Sequence, residues 1–203
     1  MQTVRLELPA TPPFSFEKTL LFIRTAYARP YERVPAREQV VGDTLRRVVS
    51  VSGRPLLFEV EAAGDAAVTV TLYAERLDDA LIAAAADRVR FYLGLDDDLE
   101  PLYKRADPVF KSVLERLHGY HMVKVLTPFE AACWAMVQQR TPNAFAHKTM
   151  ARFAAAFGGT LTVGGRTYTA FPEAGAMLEN PQARVLAATN NTRKTERMLS
   201  LIE

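Results

Sequence analysis

The chain has 203 residues, 49% hydrophobic and 24% charged, with 25 Lys and Arg against 23 Asp and Glu and a pI near 8.7. This balance excludes a disordered polyelectrolyte, and no apolar run approaches the roughly 18 residues of a membrane-spanning helix. A single cysteine, Cys133, excludes a disulfide scaffold, while a net charge of +2 permits nucleic-acid binding without indicating it.

The opening residues alternate apolar and polar instead of forming the continuous stretch of a signal peptide, so a cytoplasmic protein is expected. Val4, Leu6 and Leu8 predict an initial strand, ended by Pro12-Pro13. Ser15 is placed to cap a helix running to about Ala28, with Phe16, Leu20 and Ile23 or Tyr27 on one face. From Gln39 to Leu72 the texture turns β-branched and aliphatic: Val40-Val41, Leu45 to Val51, Leu56 to Val60 and Val68 to Leu72. Gly42-Asp43, Ser52-Gly53 and Gly64-Asp65 separate these runs as turns, so a small antiparallel sheet is expected. Arg46-Arg47 falls in one of its strands and reads as a solvated face.

Beyond Asp78 the chain reads mainly as helix. Leu81, Ile82, Ala85, Val89 and Leu93 form an amphipathic stripe that stops at Gly94, and Asp107-Pro108 starts a further helix that stops at Gly119. Between them Asp96-Asp97-Asp98 reads as a solvated loop with a capping role. His118 and His121 lack the further ligands that a metal requires, so no metal is expected there.

Thr127 to Gly159 is the most informative stretch. Thr127 with Glu130 forms a capping box, and Pro128 needs no amide partner at a first helical position, which predicts a helix lined by Phe129, Ala132, Cys133 and Met136. Trp134 sits among apolar neighbours and reads as core; Cys133 reads as a small buried hydrophobe. Thr141-Pro142 repeats the start signal, and Ala146, Met150, Phe153 and Phe157 make a second apolar face ending at Gly158, a natural left-handed cap. Gln138-Gln139-Arg140 is the polar tip between the two helices. Spacing alone leaves open a solvated connection or a ligand-facing edge. Gly164-Gly165 then predicts a loop or short hairpin, and Glu173 to Glu203 two short helices around Ala187 to Thr192, the last carrying Arg193, Lys194 and Arg197.

The runs Thr127 to Glu130, Trp134 to Gln139 and Ala156 to Gly158 resemble the helical core of AlkA-type DNA-3-methyladenine glycosylases, of the helix-hairpin-helix DNA glycosylase superfamily. Pro12 to Phe16 and Leu93 to Leu99 extend the similarity over nearly all of the chain. The resemblance implies an α+β fold: a small N-terminal antiparallel sheet with a helix over residues 1–77, then an all-helical glycosylase-like domain over 78–203. It also implies a monofunctional base-excision repair enzyme that extrudes an alkylated purine such as 3-methyladenine from double-stranded DNA and hydrolyses its N-glycosidic bond with neither metal nor organic cofactor.

By position, Gln138 and Gln139 match the dipeptide that this family brings to DNA, with Gln139 filling the gap left by the extruded nucleotide. Arg140 is a candidate phosphate contact, and Thr141 opens a helix whose amides suit an anion. Phe22 falls where the family brings an aromatic ring to the lesion pocket, with Trp134 as the second aromatic candidate. Such a ring attracts a cationic methylated purine by about 0.5–2 kcal/mol; core packing is the other reading of Phe22.

The family's defining hairpin, Leu-x-Gly-Ile-Gly-x-x-Thr-Ala, does not occur in this sequence. Arg193 to Ile202 resembles the helix that precedes it, so the hairpin and the catalytic aspartate are expected beyond Glu203, with no catalytic residue within these 203 residues. Lys148 and Lys194 do not take the place of the lysine of bifunctional relatives. An incomplete helical domain should expose apolar surface and self-associate. The alternative reading is a non-catalytic DNA-binding or regulatory remnant of the family. A third is a helical interaction protein unrelated to DNA. No membrane partner is expected, and the location implied is cytoplasmic, associated with the nucleoid through DNA.

Overall fold

The computed structural model describes residues 1–26, 40–105, 107–178 and 182–202. Tyr27 and Ala28 at the expected end of the first helix, Gln39 at the start of the β-rich region, and Glu203 lie outside the described residues.

Five strands build one antiparallel sheet: β1 (Gln2–Pro9), β2 (Val40–Val41), β3 (Thr44–Val51), β4 (Arg54–Ala62) and β5 (Ala67–Ala74), in the order β1-β5-β4-β3-β2. The period-two alternation sets the register. Leu8 lies opposite Val68, Leu6 opposite Val70 and Val4 opposite Leu72, so one face collects the apolar side chains. On that face Leu45, Val49, Phe58, Val60, Val70 and Leu72 are buried. Helix α1 (Phe16–Ala26) adds Phe16, Leu20 and Ile23, and α2 (Asp79–Leu93) adds Leu81, Ala85, Val89, Tyr92 and Leu93. The division expected between residues 77 and 78 therefore falls inside this first core, because α2 lays its stripe on the sheet.

Asp78 joins the two layers. Its carboxylate accepts from the Leu81 amide at 2.9 Å, capping α2, and pairs with Arg54 of β4 at 2.7 Å. Arg54 first, and that amide second, hold its carboxyl down at about 2. Gly94 closes α2 in the left-handed conformation, φ 64°, with its amide on Arg90 and Phe91 carbonyls. The aspartates that follow are all engaged: Asp96 with Arg90, Asp97 with Lys124, and Asp98 with the Glu100 amide. His121 is buried with its ring nitrogens 2.5 Å from the Gly94 carbonyl and 2.9 Å from that of Pro13. Among the described residues no group of three His, Cys, Asp or Glu side chains is arranged to hold a metal.

After α3 (Glu100–Lys104), the helix expected at Asp107-Pro108 opens as a 3-10 turn over Pro108–Phe110 and continues as α4 (Lys111–Arg116). Leu102, Val109, Phe110, Val113 and Leu117 are exposed along this stretch. The second core belongs to α5 (Pro128–Gln138), α6 (Asn143–Phe157), α7 (Ala174–Leu178), α8 (Gln182–Thr189) and α9 (Thr192–Ile202). It is filled by Cys133, Val137, Ala146, Phe153, Phe157, Met177, Val185, Ala188 and Met198. Between α6 and α7 lies the expected hairpin, β6 (Thr160–Val163) with β7 (Arg166–Thr169).

Three expectations need correction. Thr127 caps α5 through the Glu130 amide, but Thr141 does not cap α6; that helix starts after Pro142, and the Thr141 hydroxyl serves the tip. Gly158 is not left-handed. Its backbone is extended, φ −78° and ψ 148°, and leads into β6. Glycine is required there by closeness instead: a Cβ would stand 1.9 Å from the Ala170 carbonyl oxygen. Glu173 to Glu203 carries three helices among the described residues rather than two, with the α8–α9 break at Asn190, φ 50°.

Gly158→Ala should cost about 2–3 kcal/mol in a urea titration, since two backbone segments must separate. Gly175→Ala, where nothing lies within 4 Å, should stay within about 1 kcal/mol of the parent. Cys133 gives a second test. Burial, then the nearby Glu130, push its thiol up to about 12, so the folded chain should react with Ellman's reagent at pH 8 only as fast as it opens. In urea the same thiol should react at once.

Candidate nucleic-acid interface

The connection between α5 and α6 is a tight turn with an unusual occupant. The Thr141 amide returns to the Gln138 carbonyl at 3.1 Å, and Gln139 at φ −55°, ψ 118° precedes Arg140 at φ 51°. These are the torsions of a type II turn, whose third position favours glycine. A side chain in that conformation costs about 1–2 kcal/mol, so the turn needs support from elsewhere.

Support comes from α9. Lys194 Nζ donates to the Val137 carbonyl, in the last turn of α5, and to Thr141 Oγ1, whose hydroxyl donates to the Gln139 carbonyl at 3.1 Å. A cation at a helix C-terminus gains about 0.3–1 kcal/mol from the aligned peptide dipoles. Burial, and next the charge of Arg197, hold the Lys194 ammonium below its ordinary value. One turn further along α9, Arg197 Nη1 donates to Gln139 Oε1 at 2.7 Å. Gln138 Nε2 donates to Asn143 Oδ1 at 3.0 Å. The position of α9 is set in turn by Asn191, whose Oδ1 accepts from the Lys194 amide, and by the Thr189–Thr195 hydroxyl pair at 2.6 Å.

Gln138, Gln139, Arg140 and Thr141 thus form one surface feature. Gln139 and Arg140 are exposed, Gln138 and Thr141 half-buried. Arg193, Lys194 and Arg197 lie on the helix beside them, and no carboxylate enters the hydrogen bonds of this tip among the described residues. Chemically the tip offers amides that can meet base edges and cations that can meet phosphates.

The aromatic candidates have separate surroundings. Phe22 is 38% exposed on α1, with its ring 5.4 Å from that of Tyr120. Trp134 is half-buried against the second core, 4.6 Å from the His147 ring. Sequence reading missed that Lys194 and Arg197 hold the tip. Their spacing of three placed them on one face of α9, but their partners lie 57 and 58 residues away in the chain. Arg46, expected on a solvated face, has partners instead. It bonds Glu59 at 2.6 Å and the Tyr168 hydroxyl at 3.3 Å, tying the sheet to the β6–β7 hairpin.

Comparison with known proteins bears on this arrangement. No family model matches the chain. An 83-residue segment, 40% of the chain, is 34% identical to the DNA-3-methyladenine glycosylase of Bacillus subtilis and corresponds to 27% of that protein. The fold aligns over 98% of the chain with a 3-methyladenine DNA glycosylase from Archaeoglobus fulgidus, at TM-score 0.73 and 18% identity, covering 66% of that structure. It also aligns over 78% of the chain with a Clostridium acetobutylicum 8-oxoguanine glycosylase/lyase in complex with double-stranded DNA, at TM-score 0.52 and 16% identity, covering 51%. The chain therefore spans less than two thirds of the length of each of these relatives. Its α+β architecture, a five-stranded antiparallel sheet joined to a helical body, is similar to the fold of these DNA glycosylase structures, and one segment is similar in sequence to a DNA-3-methyladenine glycosylase.

Proposed function

We propose that the chain is the sheet-and-helix body of a monofunctional DNA glycosylase that extrudes alkylated purines such as 3-methyladenine from double-stranded DNA. The observation that carries this reading is the exposed Gln138 to Thr141 turn, braced by a cationic helix on a DNA glycosylase fold. Gln139 enters the gap left by the extruded nucleotide and bonds the orphaned base; Gln138 supports it from Asn143. Arg140 meets phosphates, with Arg193 of α9 as a further cation. Extrusion costs a few kcal/mol of stacking, which these contacts offset in part. The Phe22–Tyr120 pair offers an aromatic face to a cationic purine, and Trp134 backs the helix that carries the glutamines.

Cleavage of the N-glycosidic bond builds oxocarbenium charge on the sugar, which a carboxylate stabilises. Among the described residues the bonds of the tip are made by cations and amides, chemistry that suits holding a duplex, and this supports a second reading, duplex binding without excision.

Incubation of a full-length version, carrying the hairpin and aspartate that the resemblance implies, with methylated duplex, followed by alkaline cleavage at abasic sites, separates the two. Strand breaks at methylated purines support the glycosylase. Salt-dependent binding without breaks, weakened about tenfold or more by Gln139→Ala, supports the second reading. A chain with no duplex affinity at low salt would remove both. Self-association through the exposed apolar side chains between Leu102 and Leu117 is expected as well: light scattering across a concentration series should show growth beyond the monomer, reduced by Phe110→Ser.

A further inference from the structure

Arg197 makes a contact whose chemistry has a directional consequence. A guanidinium only donates hydrogen bonds, so the group of Gln139 that meets Arg197 Nη1 at 2.7 Å must be the amide oxygen. The amide is planar, and fixing its oxygen on the protein side turns its nitrogen, with two N–H donors, away from α9. Gln139 is exposed at the C-terminal cap of α5, so an approaching duplex can reach its side chain. Gln138 is occupied differently: its own nitrogen is spent on Asn143 Oδ1 at 3.0 Å. The two neighbouring glutamines, identical in chemistry, are thus held in opposite senses by the residues facing them.

The scaffold beneath Arg197 is suited to keeping this orientation. Lys194, one turn earlier on the same helix, is bonded to Val137 and Thr141 on either side of the turn, so α9 and the tip move together. Met198, next to Arg197 in sequence, is fully buried in the second core and fixes the rotation of α9 about its axis.

We infer that Arg197 is a positioning residue that orients the Gln139 amide as a donor, so that the tip selects an orphaned base presenting an acceptor edge, such as the thymine opposite a damaged adenine. The inference rests on the tip being the duplex-facing edge. Arg197 acts through Gln139 and touches neither the damaged base nor the sugar. Without the guanidinium the amide can turn over and present its oxygen instead, and an acceptor facing an acceptor gains nothing. Selectivity should then fall further than overall affinity, because the phosphate contacts do not depend on the amide's sense.

The test measures affinity for duplexes with an abasic-site analogue opposite either thymine or 2,4-difluorotoluene, which has nearly the same shape but no carbonyl acceptors. The parent should prefer thymine by about fivefold, the worth of one hydrogen bond to an exposed partner. Gln139→Glu keeps an acceptor for Arg197 but has no outward donor, and should lose the preference. Arg197→Ala should at least halve it, and Arg197→Lys, which still donates to Oε1, should restore it. Thermal unfolding of each variant separates lost folding from lost orientation, and the ratio between the two duplexes is insensitive to the fraction of folded protein. If Arg197→Ala keeps the parent's ratio while Gln139→Glu loses it, the orienting role of Arg197 is wrong and the tip remains the DNA-facing edge. If no variant, nor the parent, binds either duplex in a salt-dependent way, the functional reading fails and takes this inference with it.

Discussion

A lysine ammonium seated at the end of α5 is the interaction on which the exposed tip depends. The α5–α6 turn places Arg140 in a conformation that a side chain adopts at a cost, and it sits at the surface where local contacts are few. Lys194 compensates by bonding the Val137 carbonyl before the turn and the Thr141 hydroxyl within it. Charge-assisted hydrogen bonds are worth about 1.5–3 kcal/mol each when shielded and less when half-exposed, as here, which is still of the order of the strain they oppose. The Gln138–Asn143 bond and the two Thr141 bonds close the turn locally, and the cationic brace is added from α9. The tip is a property of three helices, and α9 is the member that decides its shape.

The sheet enters through polar bridges rather than through a continuous apolar core. Two separate cores are present, one under the sheet and one among the later helices. Arg46 links Glu59 of the sheet to Tyr168 of the hairpin, and Glu173 accepts from the Ser52 and Gly53 amides of the β3–β4 turn. Arg47 lies over the Tyr92 ring; burial raises the carboxyl of Glu130 above its ordinary value, and the charge of Arg47 offsets part of that rise. These contacts orient the helical body on the sheet. Since α1 belongs to the sheet's core and the tip to the helical one, they also govern how Phe22 stands relative to Gln139.

Charge at the tip is divided in a way that matches binding more directly than bond cleavage. Cations and amides can hold a polyanion and meet base edges without any proton transfer. Stabilising positive charge on a sugar needs the opposite sign. The two tasks therefore make opposite electrostatic demands, and the tip satisfies the first.

Local pattern was enough to read most of the fold. Alternation in Val4 to Leu8 and in the β-rich runs, with Gly-containing turns between them, follows from sterics within a few residues, and the sheet has those strands. Thr127 with Pro128 and Asp78 before Leu81 are caps whose partners lie three residues away, which is why α5 and α2 start where expected. Long-range contacts decided the rest. Gly158 is glycine because the Ala170 carbonyl crosses above it, and the Thr141 hydroxyl, one residue ahead of the Pro142 cap position of α6, is engaged by Lys194. The sequence by itself determined the strands, the helix starts and the polar character of Gln138 to Arg140, since each depends on neighbours along the chain. Only the tertiary structure decided that α9 braces this turn and which way the Gln139 amide faces, because the groups responsible are brought together by helix packing across more than fifty residues.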